Sequence, residues 1–154
     1  MKQSPNRLSN SHTAPGHSTR ERKYLDRPYY PQITGTERDV SGDGWHSKRI
    51  VLADDGVGFS FHETTIDAGT VHVFHYQHHI EAVWLTAGTG TLTNLENGDV
   101  FTLGPGSMYL LDGNERHQLS ADSEMRMMCV FNPPVTGREV HDESGAYPAA
   151  PALS

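Results

Sequence analysis

The chain has 154 residues, a net charge of −7 and a single cysteine, Cys129. That length suits one domain. No apolar run reaches the ~20 residues that span a bilayer as a helix, the opening residues lack the apolar core of a signal peptide, and no intrachain disulfide can form, so the expected location is the cytoplasm and no membrane partner is expected. The charge is unevenly spread. Residues 1–27 carry six basic and two acidic residues, a net +4, and the rest carries six basic and 17 acidic, a net −11. A body this acidic argues against nucleic acid as a partner.

Residues 1 to about 22 are rich in Ser, Asn, His, Pro and Arg and nearly free of apolar side chains. They cannot bury enough surface to offset the entropy of ordering and are expected to be flexible. From Lys48 onward the chain becomes a series of short strand candidates, Lys48–Ala53, Val57–Ile66, Val71–Tyr76, Glu81–Thr86 and Thr89–Leu95. Val100–Leu103, Met108–Leu111, His117–Ser120 and Arg126–Phe131 complete it, with turn signals such as DDG, DAGT, AGTG, ENGD and DGNE between the runs. With 15 Gly and 9 Pro to punctuate it, the pattern predicts an all-β fold, a barrel or jelly roll. No heptad, long helical period or internal repeat is present.

The spacing is similar to the two motifs of cupin barrels. Gly69, His75, Gln77, Glu81 and Gly88 fall on the first motif, with Gln77 where a second His is usual. Gly98, Gly104-Pro105-Gly106 and Tyr109 fall on the second, with Tyr109 where a His is usual. The barrel is thereby expected, and the ordinary metal site of three His and one Glu is not.

Ionisable residues crowd the segment FNPPVTGREVHDESGAYP, Phe131–Pro148, directly behind an apolar run. That density at the end of a core strand points to chemistry, although a solvated tail would read the same way. This segment resembles the C-terminal signature of ectoine synthase. GFSFHETTI (Gly58–Ile66), HIEAV (His79–Val83), PGSMYLLD (Pro105–Asp112) and ERH (Glu115–His117) resemble further parts of that family, in order. Members begin near Leu25, so the resemblance implies an extension over 1–24, a cupin barrel domain over 25–148 and a short flexible tail over 149–154.

The resemblance also implies a site. An iron, Fe(II), or zinc or another divalent metal in its place, is expected on Glu81, Tyr109 and His117. Carboxylate, phenolate and imidazole suit Fe(II), and three protein ligands leave positions open. Taken alone, Tyr109 reads as core and His117 as a turn residue; Glu81 is less bland, since Glu is depleted in strands and costly to bury. Substrate-binding roles are implied for Trp45, Arg49, Tyr76, His79, Phe131 and Cys129. Period-two alternation places His62 and Thr64 on the cavity face of their strand, opposite Phe59, Phe61 and Glu63. Arg49 offers a fork suited to a carboxylate. Cys129 lacks an activating neighbour in sequence and reads more simply as a small buried residue. Glu139 and His141, two apart, suit proton transfer near neutral pH, with Tyr76 a third catalytic candidate. His75 is expected to be structural or to support a ligand, and His78 to be exposed.

The implied activity is the closure of N-γ-acetyl-L-2,4-diaminobutyrate to the cyclic amidine ectoine with loss of water, by a head-to-tail homodimer. A different Fe(II) enzyme on the same barrel, an oxygenase or isomerase, or a ligand-sensing cupin without catalysis are the alternatives, because fold does not fix function.

Overall fold

The computed structural model describes residues 33–139. The extension over 1–24, the tail over 149–154 and His141 lie outside them. Among the described residues ten strands form two antiparallel sheets. The larger has the order β1-β2-β3-β10-β5-β8: β1 (Asp39–Gly42), β2 (Trp45–Val51), β3 (Ser60–Ile66), β10 (Met125–Asn132), β5 (Ile80–Ala87) and β8 (Met108–Leu111). The smaller has the order β4-β9-β6-β7: β4 (Val71–Phe74), β9 (His117–Ala121), β6 (Gly90–Asn94) and β7 (Val100–Leu103). This is the all-β barrel that the turn spacing predicts.

Alternation decides which side chains face inward. In β10 Met125, Met127, Cys129 and Phe131 are all buried, and in β5 Glu81, Val83 and Leu85 are. From the smaller sheet, Leu92, Leu103, Leu119 and Ala121 close the core against them. The registers then place inward residues of different strands side by side. Tyr109 pairs with Val83, Val83 with Cys129, Cys129 with His62, and His62 with Arg49. The neighbouring row runs Leu85, Met127, Thr64, Ser47. Polar groups from five strands thus meet on one inner face, which is costly unless they serve a ligand or each other.

Two differences from the sequence reading have physical causes. β1 was not anticipated, because DVSG shows no apolar alternation; a turn with Gly44 at φ +72° folds it onto β2. The expected run Val71–Tyr76 stops at Phe74, and β5 starts at Ile80. Residues 75–79 form a loop, so alternation does not carry across His75, Gln77 and His79.

Candidate active site

A small cavity lies between the sheets, with Glu81, Tyr109 and His117 on its wall. Each comes from a different strand. Burial pushes the Glu81 carboxyl up to about 8, partly opposed by a hydrogen bond from the Cys129 thiol. Burial, then the proximity of Glu81 and Cys129, pushes the Tyr109 phenol well above its usual value. His117 is held below its usual value by burial, against the opposing pull of the Glu115 carbonyl and carboxylate, while His75 lowers it further. Its Nδ1 lies 3.1 Å from the Glu115 carbonyl oxygen. An N–H donated there makes Nε2 the lone-pair nitrogen, the posture of a metal-ligating histidine. Phe74 and Tyr76 flank the ring at 5.8 and 6.0 Å.

Among the described residues no group of three His, Cys, Asp or Glu could hold a metal. Counting the Tyr109 phenol, a carboxyl, a phenol and an oriented imidazole share one cavity wall. Two buried acids and an oriented imidazole are costly together without a cation and stabilised with one. The residues present fit a divalent cation.

The rest of the wall is divided. Trp45, Ile66, Phe74, Leu119, Met127 and Phe131 are apolar, and Ser47, His62, Thr64, Tyr76 and Cys129 carry polar atoms. His62 is 1% exposed and its Nε2 has no hydrogen-bond partner among the described residues. Burial, then the charge of Arg49, lowers it to about 3, so the imidazole is neutral. Its ring tilts over Phe131 at 5.1 Å. Tyr76 is buried between Phe74, stacked at 5.9 Å, and Phe131, edge-on at 5.2 Å.

The sequence profile of the family described as ectoine synthase matches residues 29–151. L-ectoine synthase of Mycolicibacterium vanbaalenii is 71% identical over 119 residues, covering 77% of this chain and 92% of the relative. That of Nocardia farcinica is 72% identical over 123 residues, covering 79% and 94%. The chain belongs to the ectoine synthase family. A crystal structure of ectoine synthase from P. lautus superposes with a TM-score of 0.70 at 45% identity, over 80% of this chain and 89% of that one. An ethanolamine utilization protein from Salmonella typhimurium shares the fold at 13% identity and a TM-score of 0.55, over 62% and 79%.

Within this family member the structure brings Trp45, His62, Thr64, Tyr76, Cys129 and Phe131 to the cavity together with the trio. Three other expected contacts are placed differently. Arg49 does not offer its fork to the cavity: Nη1 donates to the Gly137 carbonyl at 2.5 Å and Nη2 to that of Glu139 at 2.9 Å. The Glu139 carboxylate accepts from the Thr136 and Gly137 amides at 2.6 and 2.8 Å. Burial acts to raise this carboxyl, but the amides of Thr136, Glu139 and Gly137 outweigh it and hold it below its usual value. His79 is buried with Nδ1 2.8 Å from the Pro133 carbonyl oxygen. All three therefore engage the 133–139 loop, and none lines the cavity. His75 Nδ1 lies 3.1 Å from Gln77 Nε2, with its ring near enough to His117 to lower it, and His78 is exposed. The sequence reading missed Ser47 and the apolar wall of Ile66, Phe74, Leu119 and Met127. Ser47 was legible in principle, two residues from both Trp45 and Arg49 on one strand.

Proposed function

We propose that this chain closes N-γ-acetyl-L-2,4-diaminobutyrate to ectoine with loss of water, aided by Fe(II) held on Glu81, Tyr109 and His117. The observation that carries the reading is the buried carboxyl, phenol and oriented imidazole on one cavity wall, in a family whose relatives are named for ectoine formation. When bound, the metal supplies Lewis-acid polarisation of the substrate amide oxygen.

The protein does the rest. The aromatic side of the wall, Trp45, Phe74, Tyr76 and Phe131, folds the substrate so that its α-amine meets its own amide carbon, which removes an entropic barrier. The same desolvated surface, beside a neutral His62, disfavours the ammonium form and so leaves the amine able to attack. The Tyr76 hydroxyl donates toward the departing oxygen. Glu139 keeps the 133–139 loop in place, with Arg49 holding that loop to the barrel. Transfer of the protons that the attacking amine loses to the departing oxygen, which leaves as water, then falls to His141, two residues beyond that anchor and outside the described residues. Purified protein given Fe(II) and the acetylated diaminobutyrate should yield ectoine by chromatography. No product, with a well-folded protein carrying metal, would overturn the proposal.

The homodimer is also part of the proposal. Ile80, Trp84, Met108 and Leu110 are all 44% or more exposed and form an apolar strip on the outer face of β5 and β8, and β8 and β1 are both sheet edges. Such edges and strips are ordinarily covered. Light scattering should give twice 17.0 kDa, and a single-chain mass across the micromolar range would reject the dimer. Among the described residues no helix is long and apolar enough to cross a membrane; with the lone cysteine buried as a free thiol, the reading places the protein in the cytoplasm.

A further inference from the structure

Three polar side chains of the cavity wall form a row that ends on Glu81. The Thr64 and Ser47 hydroxyls are hydrogen-bonded at 3.3 Å. Cys129 lies between Thr64 and Glu81 on the same wall, close enough for each of the two to influence its thiol. The registers explain why these residues meet. Ser47 pairs directly with Thr64, Cys129 lies one inward step along β10 from the partner of Thr64, and Glu81 lies one inward step along β5 from the partner of Cys129. The row crosses β2, β3, β10 and β5 diagonally on one face. Ser47 and Cys129 are each 3% exposed, and Glu81 is 5%.

We propose that Cys129 and Thr64 are positioning residues for Glu81, the end of a buried Ser47–Thr64–Cys129 row that fixes the carboxyl in the orientation in which it meets the cation. The inference rests on the metal reading above and reassigns two residues expected to bind substrate. The choice of a thiol has a chemical reason. A thiol is a weak donor. It can orient a carboxylate without competing with a cation for it, as a second ammonium or guanidinium would. Groups that orient metal ligands in this way typically matter 10–100-fold in metal affinity.

The test is titration of metal-free protein with Co(II), followed by its absorption, for wild type, Cys129→Ala, Cys129→Ser, Thr64→Val and Thr64→Ser, each checked for folding by circular dichroism. Cys129→Ala should bind Co(II) about tenfold more weakly, Thr64→Val more weakly by a smaller factor, and the two serine variants close to wild type. The KM for the acetylated substrate at saturating metal should hardly move. Unchanged Co(II) affinity with a raised KM in Cys129→Ala would make Cys129 a substrate contact and overturn the proposal. Infrared spectra of the metal-free proteins supply a separate arm: Cys129→Ala should shift the carboxyl band that disappears in Glu81→Gln, and an unshifted band would overturn the proposal even if the metal reading holds. A wild type that takes up no Co(II) would instead overturn the metal reading, and this inference with it.

Discussion

His62 should make the protein acid-sensitive in a way that one substitution removes. Its imidazole is fully buried and lowered to about 3 from 6.5. Below the unfolded value the unfolded chain binds a proton that the folded chain refuses, so stability is complete above about pH 6.5 and is lost as pH falls toward 3. With those two values the loss at pH 5 is about 2 kcal/mol, and it approaches about 5 kcal/mol below pH 3. Glu81 acts oppositely in metal-free protein: raised to about 8, its stabilisation is present at low pH and lost as pH rises through the folded value. The raw pH profile therefore mixes two slopes, and the difference between wild type and His62→Phe isolates one. Phe keeps an aromatic ring against Phe131, and His62→Gln keeps polarity without titrating. Urea unfolding of the metal-free proteins at pH 8 and pH 5 should show both variants gaining about 2 kcal/mol on wild type between the two conditions. Parallel wild-type and variant profiles would mean that His62 is hydrated or charged in the folded state, and the neutral cavity face would have to be abandoned.

Other substitutions probe the loop and the turns. Arg49→Leu should cost about 3 kcal/mol or more, since two charge-assisted bonds are lost, and amide exchange should quicken at residues 133–139 before it does in the strands. Glu139→Gln keeps one acceptor oxygen, so its activity should fall no further than its loss of folded protein explains; a drop of about 10²–10⁴ at full folding would return Glu139 to proton transfer. A Cβ on Gly88, at φ +85°, would lie 2.1 Å from the Glu124 carbonyl oxygen, whereas one on Gly69, at φ +77°, would meet nothing within 4 Å. Gly69→Ala should therefore cost only the left-handed conformation, about 1–2 kcal/mol, and Gly88→Ala clearly more by thermal melting.

The regular part of this fold was legible and the irregular part was not. Alternation in GFSFHETTI put His62 and Thr64 on the cavity face because β3 is an unbroken strand from Ser60 to Ile66. The same rule gives nothing for His75 and His79, which sit in the loop between β4 and β5. Arg49 reads in sequence as a fork for a carboxylate, yet two backbone carbonyls 88 and 90 residues away use that fork. Long-range competition of that kind has no local signature. Glu139 is ambiguous for a related reason: a carboxylate that serves chemistry and one that holds a turn through amides at two and three residues' distance share the same pattern of letters. Tyr109 was the informative exception, because a departure from the usual cupin ligand coincides with a buried phenol beside a buried carboxyl.

The central claim is that Tyr109, and not a second histidine, completes the metal site. Iron content of anaerobically loaded Tyr109→Phe and His75→Ala, measured beside wild type, tests it most directly. Removing the phenol oxygen removes a lone pair, so Tyr109→Phe should lose most of its iron while remaining folded, and His75→Ala should keep it. Iron retained by Tyr109→Phe and lost from His75→Ala would mean that the ordinary cupin histidine holds the metal, and would contradict the account.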